Sequence, residues 1–347
     1  MSADASAARA GLLVLEVDGA RLEIDPAAGG RMSSLVIDGS ELLARTGSGP
    51  IYWGSFPMVP FSGRIRDGVF EFDGRRIELP RNMPPHAIHG TVLDRPWTVV
   101  DERTLTIDLG PAWPFAGRVT QRFQLDGNEL QASLTLEADE PMPGAVGWHP
   151  WFPRRLTGTA ARPAAPSPPA LLRFDAARMF LRDASDIPTG ELVEPIAGPW
   201  DDCFTGIRSA PTLTWPGVLS LELSSSCDYW VVYDEPADTI CVEPQSSPPD
   251  FVHIDPVVVS PGEPLTETTT WRWRRPDHSA DAGRDRGADG RTQRARQAPG
   301  ASGSAAGTAR RRSAASSAVT SRWRSASSSY PTMNLRTKAD RRSGGYT

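Results

Sequence analysis

Between residues 11 and 275 the apolar side chains recur at every second position. Val119, Phe123 and Leu125 alternate with Thr120, Arg122 and Gln124; beyond a turn, Leu130, Ala132, Leu134 and Leu136 alternate with Gln131, Ser133 and Thr135. A period of two puts one face of an extended chain in a dry core and the other in water. Short runs of this kind are punctuated by Asp-Gly, at Asp18-Gly19, Asp38-Gly39, Asp67-Gly68, Asp73-Gly74 and Asp126-Gly127. Asp-Gly suits a two-residue hairpin turn because positive φ angles cost little there. Residues 219–223 and 229–233 read as core strands, 171–181 as a strand with a turn, and 257–260 and 266–273 as closing strands. The Pro- and Ala-rich stretch 157–170 reads as a surface loop. No helical period is sustained over 11–275, so the pattern predicts an all-β fold, a large antiparallel β-sandwich.

The alternation stops at Pro276. Residues 276–347 are mostly Arg, Ala, Ser, Gly and Asp and cannot bury enough apolar surface to offset their ordering entropy, which predicts a disordered tail. Residues 1–10, small and polar, read as a flexible N-terminus, leaving one domain over 11–275. Of the 37 Lys and Arg and the 42 Asp and Glu, the tail holds 14 and 5, which leaves 23 and 37 before it. So acidic a body argues against a nucleic-acid surface there. The basic tail leaves three readings: a solvated segment, an arm on nucleic acid, or a stretch read out of frame. Cys203, Cys227 and Cys241 are odd in number and form no Cys-x-x-Cys, so neither a disulfide framework nor a zinc site is indicated. The apolar run 11–17 contains Glu16 and follows no basic segment, so it reads as a strand and not a signal peptide. No apolar stretch reaches membrane-spanning length. These features point to a soluble cytoplasmic protein and leave its oligomeric state open.

Candidate chemistry gathers around Gly147-Trp148-His149-Pro150-Trp151-Phe152. Pro150 biases His149 towards an extended backbone, and the aromatics beside it offer flat apolar surface of the kind that packs on sugar C–H faces. A lone histidine at a strand end is otherwise an ordinary core residue. Some ninety residues on, Cys241-Val242-Glu243-Pro244-Gln245 supplies a carboxylate and an amide at a second proline-marked strand end. A His and a Glu brought together from distant strands make an acid–base pair. Further clusters are Ser62-Gly63-Arg64-Ile65, His86-Ala87-Ile88-His89-Gly90 with Trp97 downstream, and Asp201-Asp202-Cys203-Phe204. Taken singly, Arg64 is a surface charge and Asp201-Asp202 a turn cap. His86 and His89 lack a third metal ligand at a recognisable spacing. The body contains no Gly-x-Ser-x-Gly elbow, phosphate loop or dinucleotide fingerprint.

In this order the clusters resemble the aldose 1-epimerase (galactose mutarotase) family, across roughly residues 11–274. Gly63-Arg64-Ile65, His89-Gly90, Trp97, His149-Pro150-Trp151-Phe152, Asp201-Asp202-Cys203-Phe204, Glu243-Pro244-Gln245 and Pro261-Gly262-Glu263 carry the likeness. It implies a galactose mutarotase-like supersandwich with the sugar on the concave face of one sheet, and chemistry without metal or organic cofactor. It implies His149 as general acid, Glu243 as general base, and Arg64, His89, Asp201 and Gln245 as sugar contacts, with Asp202 the alternative to Asp201. The pair is expected to face each other across one pocket. Two positions depart from the family's usual residues: Gly63 stands where Asn is common, and Trp151 where Tyr is common.

The implied activity is interconversion of the α and β anomers of a free hexose such as glucose or galactose. Two other readings remain. A hexose-6-phosphate 1-epimerase needs extra basic residues at the pocket, for which Arg66 and Arg81 are candidates. A non-catalytic sugar-binding protein needs no acid–base pair.

Overall fold

The structure, a computed structural model, describes residues 11–158 and 164–275. The terminal segments 1–10 and 276–347, read above as flexible and disordered, lie outside the described residues, as does 159–163 of the expected surface loop. Among the described residues helix is confined to Phe251–Ile254 and a 3-10 turn at Arg66–Gly68. No helix there is long and apolar enough to cross a membrane.

Among the described residues eighteen strands form one antiparallel sheet. Its organising element is the strand Asp201–Trp215. Residues 201–205 pair with Tyr229–Tyr233, and residues 212–215 pair with the first half of Leu219–Ser225. Between those two partner strands residues 226–228 leave the extended conformation, and the sheet divides into two wings. One wing runs from Leu219–Ser225 through Leu265–Arg274, Glu129–Ala138, Gly117–Asp126 and Thr104–Asp108 to Thr98–Asp101. The other runs from Tyr229–Tyr233 through Thr239–Gln245, Gly147–Pro150, Ser55–Met58, Arg31–Ile37 and Ala20–Asp25 to Leu13–Val17. The wings curl together over one buried cluster, which joins Leu22, Ile24 and Leu35 to Val119, Phe123, Leu134, Trp271 and Trp273. The predicted sandwich is therefore a single sheet closed over its own core.

The period of two is visible in the burial. Val119 and Phe123 are fully buried with Leu130, Leu134 and Leu136, while Arg122, Gln124 and Gln131 face solvent. Gln121 is the exception: it is buried and donates through Nε2 to the Gly30 carbonyl at 2.7 Å. Of the five Asp-Gly pairs, those at 18, 38 and 73 are two-residue turns with Asp φ of 42, 50 and 48°. Asp126 instead pairs with Glu129, so Gly127-Asn128 make that turn. Asp67-Gly68 belongs to the 3-10 turn. The expected strand with a turn at 171–181 is an unbroken strand, Leu171–Arg182, whose register against Asp201–Trp215 shifts either side of Asp175, as at a β-bulge. What the structure describes of the 157–170 loop is anchored by Ser167, whose Oγ accepts from the Leu156 N–H at 3.0 Å.

Candidate active site

Residues directly opposite each other in an antiparallel sheet point to the same face. The register sets Glu243 beside Val231 and Cys203, and Cys241 beside Tyr233 and Asp201. On the far side of the Thr239–Gln245 strand, Gln245 pairs with Gly147, and His149 follows two residues later on the same face. The concave face of one wing thus presents Asp201, Glu243, Gln245 and His149 together. The intervening residues Phe204, Trp230, Val232, Val242 and Trp148 are buried on the other side, in the core. Asp202 falls in that second set, where its Oδ1 takes a 2.7 Å ion pair from Arg182 Nε. Asp201 lines the cavity over the concave face and Asp202 does not.

Arg64 and His89 reach this cavity from a separate two-stranded ribbon, Arg64–Ile65 with Ala87–Ile88. Left-handed backbone delivers both. His89 has φ of 60° and its N–H donates to the Gly63 carbonyl at 3.0 Å. Gly63 has φ of 64°, and a Cβ there would meet Pro249 at 2.5 Å. The departure from Asn at 63 therefore has a packing reason.

All six residues singled out from the sequence line one cavity: His149, Glu243, Arg64, His89, Asp201 and Gln245. His149 Nε2 lies 3.3 Å from Glu243 Oε1, and both side chains are buried. They stand side by side on adjacent strands, not facing each other across a pocket, because strand neighbours of the same parity share a face. The His149 ring stacks on Phe56 and on Trp151, at 4.9 and 5.1 Å between centroids, and meets His89 edge-on at 4.9 Å. Of Trp148, Trp151 and Phe152, Trp151 lines the cavity, together with Tyr52 and Tyr233 that pack on it. Trp148 and Phe152 belong to the core, because alternation turns them inward.

Burial dominates the electrostatics. It drives the His149 pKa down to about 3 and that of His89 well below the imidazole range, the latter helped by His149 and Arg64. It drives Glu243 well above the carboxylate range, helped by Asp201. Each shift favours the uncharged form. We therefore describe the resting pair as neutral, with a Glu243 carboxylic acid against a neutral His149 ring. The 3.3 Å contact becomes an ion pair only when the proton crosses to His149. Gln245 Nε2 donates to Glu243 Oε2 at 3.4 Å. Gln245 Oε1 and His89 Nδ1 are buried without a hydrogen-bond partner among the described residues.

Arg182 is a cavity residue that the sequence reading missed. Its NH1 lies 3.5 Å from Asp201 Oδ2, and Arg64 NH1 lies 3.8 Å from the same oxygen. Nothing around Arg182 in the sequence separates it from the many arginines of the chain; the antiparallel register, with Met179 opposite Phe204, carries Arg182 to a place opposite Asp201. Burial raises the Asp201 pKa from 3.8 to about 6 in spite of both arginines, with Glu235 and Asp186 adding to the rise. A raised folded pKa contributes stability that is complete below pH 3.8 and lost as the pH rises through about 6. Between pH 7.5 and pH 4 the wild type should accordingly gain about 1–2 kcal/mol over Asp201→Asn, after discounting for partial exposure. Urea midpoints at the two pH values measure this. A gain in the opposite direction would mean that the arginines outweigh burial.

His86, just before the ribbon strand Ala87–Ile88, does not line the cavity. Its Nδ1 accepts from the Asp67 N–H at 3.0 Å. The phosphate candidates are committed elsewhere. Arg66 pairs with Asp183 at 2.7 Å and Asp250 at 3.7 Å, and Arg81 donates to the Asp67 carbonyl at 2.8 Å.

A family model described as aldose 1-epimerase matches residues 18–272. The uncharacterized protein YphB of Escherichia coli K12 is 24% identical over 253 residues, 62% of this chain and 82% of that one. Among solved structures, a candidate aldose 1-epimerase from Escherichia coli K12 has a TM-score of 0.64 at 20% identity, covering 76% of this chain and 99% of that one. Galactose 1-epimerase from Lactobacillus acidophilus NCFM has a TM-score of 0.61 at 17% identity, covering 76% and 93%. At these identities the solved structures establish the fold.

Proposed function

This chain belongs to the aldose 1-epimerase family, and we propose that it interconverts the α and β anomers of a free hexose such as glucose or galactose. One observation carries the reading: a buried His149–Glu243 contact of 3.3 Å in the wall of a cavity where Gln245 Oε1 and His89 Nδ1 are left without hydrogen-bond partners among the described residues. Anomers interconvert through the open chain. Glu243 as carboxylate takes the proton of the C1 hydroxyl, while His149 as imidazolium gives a proton to the ring oxygen. The C1–O5 bond breaks, the C1–C2 bond rotates, and closure on the other face reverses both transfers. The two oxygens are bonded to the same carbon, so an acid and a base side by side serve as well as an opposed pair.

Proton bookkeeping suits this cycle. Opening leaves Glu243 protonated and His149 neutral, the same form that burial favours in the resting pair. The chemistry therefore moves one shared proton between two groups and needs no exchange with solvent within a turnover. Trp151 offers its ring to an apolar sugar face. Arg64, Asp201, His89 and Gln245 have free hydrogen-bonding capacity for the hydroxyls.

A free sugar fits better than a phosphorylated one, because Arg66 and Arg81 lie outside the cavity lining and Arg182, which lies in it, is paired with Asp201 and Asp202. A pure binder would have no use for a desolvated acid–base pair, which burial makes expensive. Polarimetry of freshly dissolved α-glucose and α-galactose, with and without protein, tests the proposal. Acceleration with either sugar supports it; acceleration with glucose 6-phosphate alone would move it to the phosphorylated substrate. Arg64→Ala should lower kcat/KM by roughly 10–100-fold, the worth of a charged hydrogen bond, with weaker binding in titration calorimetry. Unchanged binding in this variant would remove Arg64 from the sugar contacts.

A further inference from the structure

Cys241 takes no part in the chemistry above, yet it lies beside both groups that do. It sits two residues before Glu243 on one strand, so both side chains share a face, and it is fully buried. One ligand atom from each of His149, Cys241 and Glu243 lies within 4.8 Å of the other two. The edge between His149 Nε2 and Glu243 Oε1 is 3.3 Å. Ligand arms of about 2.0 Å meeting at a tetrahedral angle give an N–O edge of about 3.3 Å, so these two groups already hold zinc spacing. An imidazole, a thiolate and a carboxylate form a borderline-soft donor set, which selects zinc-class ions over magnesium and calcium. A second feature points to a ligand at this spot: the buried Gln245 Oε1, in the wall of the same cavity, has no hydrogen-bond partner among the described residues.

We propose that His149, Cys241 and Glu243 form a three-ligand site for a zinc-class divalent ion, with the fourth position on the cavity side, and that the bound ion blocks the sugar site. The ion acts as an inhibitor and not as a cofactor. Binding displaces the Cys241 thiol proton and the proton shared by His149 and Glu243. Both leave to buffer, and no group changes oxidation state. The ion then occupies the Nε2 lone pair and the carboxylate oxygen that proton transfer requires. Only the inhibition rests on the epimerase reading; the site itself needs no sugar.

The test uses the full-length protein, with Zn2+ titrated against a chromophoric chelator and Co2+ as the spectroscopic probe. One ion per chain is expected, with a thiolate-to-cobalt charge-transfer band that releases protons as it forms. Cys241→Ser and Cys241→Ala should lose the band and bind Zn2+ at least roughly 10–100-fold more weakly, since even outer-shell partners are worth that much. Cys203→Ala, which alters the other thiol of this face, should keep both. If the protein is an epimerase, Zn2+ should compete with sugar in the wild type, and Cys241→Ser should turn over normally while escaping the inhibition. Absence of stoichiometric binding, a cobalt spectrum without sulfur character, or unchanged affinity in both Cys241 variants overturns the site. A sulfur-bound cobalt spectrum in a protein that does not accelerate mutarotation leaves the site standing and removes the epimerase reading instead.

Discussion

Glu243→Gln should lower kcat by roughly 10²–10⁴-fold while sugar still binds, because it removes a proton-transfer group and keeps a polar side chain of the same shape. His149→Asn should cost a similar factor. The double variant should be little worse than either single one, since both groups act in one ring-opening event. Anomer exchange measured by NMR, with titration calorimetry for binding, separates the two effects. A Glu243→Gln protein that binds sugar and turns over at the wild-type rate would falsify the general-base role.

The same pair sets the pH profile. Its active form holds one shared proton, so activity falls when a second is added and when the first is lost. Addition is governed by His149, whose pKa burial takes down to about 3, and loss by Glu243, whose pKa burial raises. The plateau should therefore extend well below the ordinary imidazole range on its acid side. On its basic side it should extend above the ordinary carboxylate range. Both limbs belong to the coupled pair. An acid limb close to pH 6.5 would instead mean that the His149 ring is hydrated in solution and not desolvated as in the structure.

The sheet and the convergence of the candidate residues on one cavity were both readable in the sequence, for different reasons. Alternation along 117–138 and the Asp-Gly turns are local signals, and they placed strands without any knowledge of partners. His149, Glu243, Arg64, His89, Asp201 and Gln245 were found through family-like motifs, and they converge because four of them share strand parity on one concave face. Parity between strands needs register, which no single sequence states. This is why Asp201 and Asp202 could not be separated from sequence, and why the pair was expected to be opposed when it is adjacent. It is also why Trp148 and Phe152, which look as suited to sugar as Trp151, turn out to be core. Arg182 was invisible for another reason. Its role depends on how Leu171–Arg182 pairs with Asp201–Trp215, which sets Arg182 within 3.5 Å of Asp201 and 2.7 Å of Asp202.

Gly90→Ala should be among the most damaging single changes to the fold, at about 3 kcal/mol or more of lost stability. Gly90 has φ of 84°, and an added Cβ would stand 2.0 Å from the Val59 carbonyl oxygen and 2.5 Å from its carbon. Neither atom can move alone. Val59 continues the strand Ser55–Met58, whose Phe56 pairs with His149, and its carbonyl accepts from the Thr91 N–H at 2.9 Å. Displacing Val59 therefore disturbs the acid–base pair from one side and His89, the residue before Gly90, from the other. Gly74→Ala is the control: its φ of 69° is also left-handed, but nothing lies within 4 Å of the new Cβ. It should cost only the backbone penalty of about 1–2 kcal/mol. The difference between the two variants in urea unfolding isolates the clash. Activity should divide in the same way, with Gly74→Ala near wild type and Gly90→Ala raised in KM as His89 moves. Equal losses of stability would mean that Val59 and Gly90 separate freely, and that the ribbon carrying His89 is not fixed against the sheet carrying His149.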